Sequence, residues 1–181
     1  NRTYKLNQLS KFQINILILA YRGFSGNKGE PTEKNLYNDA SKTIEWLNSK
    51  GVKNKDIILY GESLGTGVVV ELAQHGNYNG IILESPFTSM EDAAKNIYPW
   101  LPVKYLLKDK YDSKAKIKKI KIPILIMHGK KDRIVPFRMG KRLYDLANEP
   151  KFSFFTDNDD HMMEFNEKLL KSIEDFSGID S

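Results

Sequence analysis

Hydrophobic residues along this chain change period repeatedly. The runs at 14–20, 57–61, 80–84, 122–127 and 152–156 are short and nearly continuous in apolar residues, which predicts strands buried on both faces. Between them the apolar positions recur at helical spacing. Leu36, Ala40, Ile44 and Leu47 form one stripe, opened by Pro31-Thr32 and stopped at Gly51. Residues 64–75 carry Val68, Val69, Leu72 and Ala73, with Gly65 and Gly67 expected to let this helix approach the sheet closely and Gly76 expected to end it. Met139, Leu143 and Leu146 line a later helix, and Met162, Phe165, Leu169, Ile173 and Phe176 line the last. A first helix is predicted over 3–12. Strands that alternate with helices pair in parallel through right-handed crossovers, so the fold class is α/β, a doubly wound, mostly parallel sheet with helices on both faces.

Over residues 87–121 the alternation gives way to short helical pieces containing Tyr98-Pro99-Trp100-Leu101-Pro102 and Tyr105-Leu106-Leu107. Loops at the carboxyl ends of parallel strands frame the ligand crevice of such sheets. Tyr98, Trp100, Leu101 and Leu106 are therefore candidates to wall a substrate pocket, with plain packing as the alternative. The 181 residues read as a single domain, 1–181, carrying this insertion.

Composition narrows the chemistry. There is no cysteine, which excludes disulfides, thiol catalysis and thiolate metal sites. No stretch is long and apolar enough to span a bilayer. The net charge of +5 is concentrated in lysines between Lys104 and Lys131, but these alternate with Asp109, Asp112 and Asp132 and lack an aromatic stacking pattern, so they read as a solvated surface and no nucleic-acid partner is expected. The chain opens at Asn1, already inside the first predicted helix. A preceding segment is expected, and any contact with a membrane surface is expected to run through it; localisation is left open.

Gly61-Glu62-Ser63-Leu64-Gly65 lies where an apolar strand turns into a helix. This is the setting of a nucleophile elbow, in which a sharp turn lifts a serine hydroxyl to the top of the sheet. A serine attacks an acyl carbon well only when a base takes its proton, and the base works best when a carboxylate orients it. Three histidines are available. His75 ends the elbow helix and points away from Ser63, and His128 closes a strand where it suits the shaping of a turn. His161 heads the last helix after the strand at 152–156 and is the preferred base. Asp132, in the loop between the strand at 122–127 and a helix starting at Pro136, is the preferred acid. Glu84 is read instead as a structural acceptor for nearby backbone, and Asp159 and Asp160 lie too close in sequence to His161 to orient it. The order Ser63, Asp132, His161 is that of α/β-hydrolases.

The chain resembles the α/β-hydrolase superfamily, and within it the small serine hydrolases that include membrane-associated protein depalmitoylases and their bacterial relatives. The likeness rests on residues 21–26 (YRGFSG), 61–67 (GESLGTG), 84–89 (ESPFTS), the Pro123 to Pro136 stretch with its His-Gly and Asp, and His161. It implies a Ser63-Asp132-His161 triad, an oxyanion donor at the backbone N–H of Leu64, hydrolysis of an acyl ester or thioester, and no metal or organic cofactor. A peptidase of the same fold and a non-catalytic binding module are the alternatives. The resemblance also implies further N-terminal strands, one between the strand at 14–20 and the elbow strand, and a turn supplying the second oxyanion N–H. Nothing upstream of Ile14 plays those parts, so this chain by itself is expected to be feebly active and poorly stable, one lost donor costing on the order of a hundred- to a thousand-fold in turnover.

Overall fold

The computed structural model describes residues 2–178, Arg2 by its backbone alone. Four strands, β1 (Ile58–Glu62), β2 (Gly80–Glu84), β3 (Ile124–Gly129) and β4 (Lys151–Thr156), form a parallel sheet in the order β1-β2-β3-β4. The register pairs Leu59 with Ile81, Ile81 with Ile124 and Ile124 with Lys151. Alternate residues along each strand point to opposite faces. Leu59, Ile81, Leu83, Ile124 and Ile126 therefore share one face, where α3 (Leu64–Ala73) and α7 (Phe137–Leu146) cover them with Val69, Val70, Ala73 and Leu143. Ile82, Leu125 and Met127 face the other way, against Phe12, Leu169 and Ile173, the last two from α8 (Glu167–Ser177). Both faces of the central strands β2 and β3 are buried, as their unbroken apolar runs require, whereas β4, at the edge of the sheet, has no fully buried residue and leaves Phe152 49% exposed, against the expectation for 152–156.

The remaining helices are α1 (Arg2–Leu9), α2 (Glu33–Ser49), α4 (Met90–Ile97), α5 (Val103–Leu106) and α6 (Ser113–Lys116). Thr32 caps α2, its side chain accepting from the Asn35 N–H, and Leu36 and Ala40 bury its apolar stripe against Val68, Phe87 and Met139.

The first helix stops at Leu9 and not at residue 12, α3 stops at Ala73 ahead of Gly76, and the sequence pattern and the structure part company in several further places. Residues 14–20 form no strand or other regular element, and Ile16, Leu17 and Ile18 stand 40, 46 and 57% exposed. A strand exists only through hydrogen bonds to a neighbour; β1 is the edge of the sheet, and among the described residues nothing pairs with its outer side. The last helix starts at Glu167 rather than at Met162, because the Asn166 side chain accepts from the Leu169 N–H and sets the cap there. Met163 and Phe165 are buried in the preceding loop and Met162 is exposed. Lastly, Gly65 has open space where a Cβ would project, and Gly67 abuts Tyr111 and Phe87 rather than the sheet.

Gly129 has no room for a side chain against the Asp159 main chain, and Gly61, at the turn between β1 and α3, has none either. A Cβ there would lie 2.6 Å from the Gly65 carbonyl oxygen and 2.8 Å from Thr66 Cα, both main-chain atoms that cannot step aside. Gly61→Val is expected to destabilise the fold by about 3 kcal/mol or more, whereas Gly65→Ala changes stability by less than about 1 kcal/mol. Urea unfolding of the two variants side by side checks the contrast, and equal losses would contradict it.

Candidate active site

Ser63 sits between β1 and α3 with φ +51° and ψ −116°, a conformation L residues rarely adopt. The turn is held from outside: the Ser63 N–H donates to the Glu84 carbonyl oxygen on β2 at 2.9 Å, and the Thr66 N–H returns to the Ser63 carbonyl oxygen at 2.9 Å. The side chain is left free of its own backbone and aimed off the carboxyl end of the sheet.

The loop after β3 and the loop after β4 come to the same end because their strands are parallel neighbours. They are stitched together directly: the Lys130 N–H donates to the Thr156 carbonyl, the Lys131 N–H to the Asp159 carbonyl, and the Arg133 and His161 N–H groups both donate to Asp160 Oδ1. Asp159 and Asp160 thus set the backbone that carries His161 and do not touch its ring. Ser85, itself at φ +50°, donates its hydroxyl to the His161 carbonyl oxygen at 3.0 Å.

Ser63, His161 and Asp132 are brought together. His161 Nδ1 lies 2.8 Å from Asp132 Oδ2, and His161 Nε2 lies 3.1 Å from Ser63 Oγ. A carboxylate only accepts, so Nδ1 carries the imidazole proton and the Nε2 lone pair faces the hydroxyl. Asp132 Oδ1 is occupied by the N–H groups of Ile134 and Val135 at 2.9 and 2.8 Å. Burial opposes the charge on Asp132, but hydrogen bonds from His128, His161 and the Val135 N–H outweigh it and hold the carboxyl well below the usual range. The hydrogen bond to Asp132 raises the His161 pKa above its ordinary value against the opposing effect of burial, with the charges of Asp132, Glu62 and Glu84 adding to the rise.

His128 is buried and does not reach Ser63. Its Nε2 lies 3.2 Å from Asp132 Oδ2 and 2.9 Å from the Val135 carbonyl, so it clamps the turn that carries the acid. His75 is exposed at the far end of α3. Leu64 occupies the first position of α3, where a helical N–H has no intrahelical acceptor. Tyr98, Trp100, Leu101 and Leu106 stand 47, 74, 39 and 62% exposed on the segment beyond β2. Among the described residues no group of three or more His, Asp or Glu is disposed to hold a metal ion.

Glu84 departs from its expected part. Its partners are side chains rather than backbone: Lys5 Nζ reaches Glu84 Oε1 at 2.6 Å and Glu62 Oε2 at 2.7 Å, the Tyr60 hydroxyl donates to Glu84 Oε2, and the same ammonium sits 5.0 Å from the Phe165 ring centroid. Burial raises the Glu84 pKa even so. A lysine in a short N-terminal helix carries no local mark of this contact, 79 residues away in sequence. Lys5→Met is expected to cost about 3 kcal/mol at pH 8, since it strands a buried carboxylate. Glu84 then takes a proton as the pH falls, so the deficit shrinks toward pH 5. Urea unfolding at both values checks this, and a penalty independent of pH would contradict it.

Residues 21–176 match the phospholipase/carboxylesterase family of α/β-hydrolases. The chain belongs to that family. A *Mycobacterium tuberculosis* protein described as uncharacterized is 40% identical over 139 residues, covering 76% of this chain and 50% of the relative. The zebrafish lysophosphatidylserine lipase ABHD12 is 32% identical over 161 residues, covering 79% of this chain and 42% of the relative. The chain therefore spans about half the length of these relatives. Among solved structures, an *Exiguobacterium antarcticum* esterase superposes with a TM-score of 0.64 at 16% identity, over 87% of this chain and 79% of its own. A *Paleococcus ferrophilus* monoacylglycerol lipase gives 0.61 at 18% identity, over 87 and 80%. At those identities the likeness is one of fold, an α/β-hydrolase sheet with its flanking helices.

Proposed function

We propose that the protein is a serine hydrolase that cleaves a carboxylic ester or thioester through an acyl-enzyme on Ser63. The observation that carries this reading is the unbroken hydrogen-bonded line from Ser63 Oγ through His161 to Asp132. His161 Nε2 takes the hydroxyl proton as Oγ bonds to the acyl carbon, and the electron pair of the carbonyl moves onto its oxygen. The Leu64 N–H is placed to donate to that oxygen. When the tetrahedral intermediate collapses, the bond to the leaving alcohol or thiol breaks and the imidazolium hands it the proton. Water, deprotonated by the same imidazole, then attacks the acyl-enzyme and releases the carboxylic acid with Ser63 restored.

The substrate class rests on family membership and on a relative named for a lysophospholipid. We assign Tyr98, Trp100, Leu101 and Leu106 to the acyl side of the substrate, on the segment that leaves the same end of the sheet as Ser63. No organic cofactor or metal enters these steps. The test is covalent labelling with a fluorophosphonate followed by peptide mapping: the adduct is expected on Ser63, and release of acid is expected from acyl esters and thioesters ahead of peptide amides. An unlabelled serine, or a label elsewhere, would overturn the nucleophile assignment. Faster amide cleavage would replace the substrate class with that of a peptidase.

A further inference from the structure

Residues 95–102 form an unbroken exposed run, followed after buried Val103 by exposed Lys104, Tyr105 and Leu106. Monomeric proteins rarely leave so many large apolar groups together in water. Trp100 is 74% exposed, Tyr105 85%, Leu106 62% and Ile97 52%. The patch is not a loose loop. Ser89 caps α4 by accepting from the Asp92 N–H at 3.0 Å, Val103 anchors α5 as its buried first residue, and the Tyr98 and Trp100 rings meet edge to face at 5.9 Å.

Its charge is one-sided. The fourteen residues 95–108 contain three lysines and no carboxylate. Lys95 is paired with Glu91 at 2.5 Å, but Lys104, Lys108 and the nearby Lys110 form no ion pair among the described residues. The adjacent acid, Asp109, is occupied by the Glu33 N–H at 2.8 Å.

We propose that this patch docks on an anionic membrane surface. Trp and Tyr sit at the level of the headgroups, where one end of the ring is apolar and the other wet. Leu101, Leu106 and Ile97 reach the acyl boundary, and Lys104, Lys108 and Lys110 meet the lipid phosphates and carboxylates. A bilayer suits an exposed surface of aromatic rings and lysines whose one bordering acid, Glu91, is already engaged by Lys95, leaving no free acid in residues 95–108 to complement the lysines of a second copy. The segment leaves β2 at its carboxyl end, the end at which Ser63 leaves β1 in the same parallel sheet. Docking there brings the lipid phase to the rim that carries the hydroxyl. Tyr98, Trp100, Leu101 and Leu106, assigned above to the acyl side of the substrate, thus meet the acyl chains of a bilayer first, and the docking itself is read without any turnover.

Trp46 and Trp100 are the two tryptophans, so Trp46→Phe in the full chain leaves Trp100 as the sole reporter, with the patch itself unaltered. On addition of phosphatidylcholine vesicles containing phosphatidylserine, the Trp100 emission is expected to shift to the blue and to be quenched by lipids brominated along the chain. Binding is expected to be roughly a hundredfold weaker to phosphatidylcholine alone, from three lysines, and to weaken with salt. Tyr105→Asp and Leu106→Asp, at side chains that make few packing contacts, are each expected to lower binding roughly tenfold or more with unchanged thermal unfolding. The proposal fails if no partition occurs at low salt, if vesicles bind without moving the Trp100 emission, or if the two aspartate variants bind as the parent does. It also fails if the chain dimerises without lipid and Tyr105→Asp abolishes the dimer, since the patch is then an interface between copies.

Discussion

Ser63→Ala is expected to lower the turnover of a chromogenic acyl ester by between about 10^4- and 10^6-fold while leaving the fold in place. The size follows from what the hydroxyl does. In the proposed mechanism it is the atom that forms the covalent bond, and without it the imidazole at 161 has no proton to take. The fold survives because among the described residues Ser63 Oγ has one partner, His161 Nε2, while the turn is held by main-chain bonds to Glu84 and Thr66 that alanine keeps. Alanine also tolerates φ +51° no worse than serine does. Steady-state hydrolysis together with thermal unfolding separates the two effects. Residual turnover within tenfold of the parent, from a sample free of contaminating esterase, would remove Ser63 from the reaction.

Asp132→Asn is expected to cost about 10^4-fold in kcat, nearly as much, though the residue never meets the substrate. The amide oxygen can still accept from the Ile134 and Val135 N–H groups, which places the amide nitrogen toward His161 Nδ1 and His128 Nε2. Two donors then face each other across the His161 contact. The imidazole relieves this by moving its proton to Nε2, and that nitrogen can no longer accept from Ser63. The pH profile carries a second signature. In the parent, the raised His161 pKa means that activity is lost as the pH falls through a value above 6.5, because the protonated ring is no base. With the hydrogen bond to the carboxylate gone, the largest cause of the rise is gone, and the inflection moves to lower pH. Stability shifts in the opposite limb. A carboxyl held well below its usual 3.8 stabilises the fold above that value and loses the contribution as the pH falls, so the asparagine variant shows a shallower acid transition. A pH profile of kcat/KM and acid unfolding curves test both statements; an inflection that does not move would show that Asp132 leaves the base untouched.

The elbow turn is legible in the sequence because it is local. Gly61, Ser63 and the switch from a strand-length apolar run to a helical stripe lie within a few residues of each other, and the close main-chain approach at Gly61 is a property of that turn alone. Asp132 and His161 are legible for a topological reason. In a parallel sheet every strand ends at the same rim, so a residue just past β3 and another just past β4 are neighbours whatever the side chains between. The same rule explains why Glu84 attracts notice as a competing acid and why its true partner escapes it. The strand end places the carboxyl near the rim, but the ammonium that meets it comes from a helix with no periodic link to the sheet.

Pattern and spacing determined the parallel α/β class, the burial of both faces of β2 and β3, the turn that presents Ser63, and the three residues whose strand ends converge, since each of these follows from periodicity or from chain order. Only the tertiary structure decided that residues 14–20 join no strand, that Asp160 and Ser85 hold the main chain of His161, that His128 braces Asp132, and that the aromatic run at 97–106 faces outward. Those are outcomes of hydrogen-bond pairing and solvent exposure between segments far apart in the chain, and a residue's type and spacing carry no record of which distant neighbour it will find.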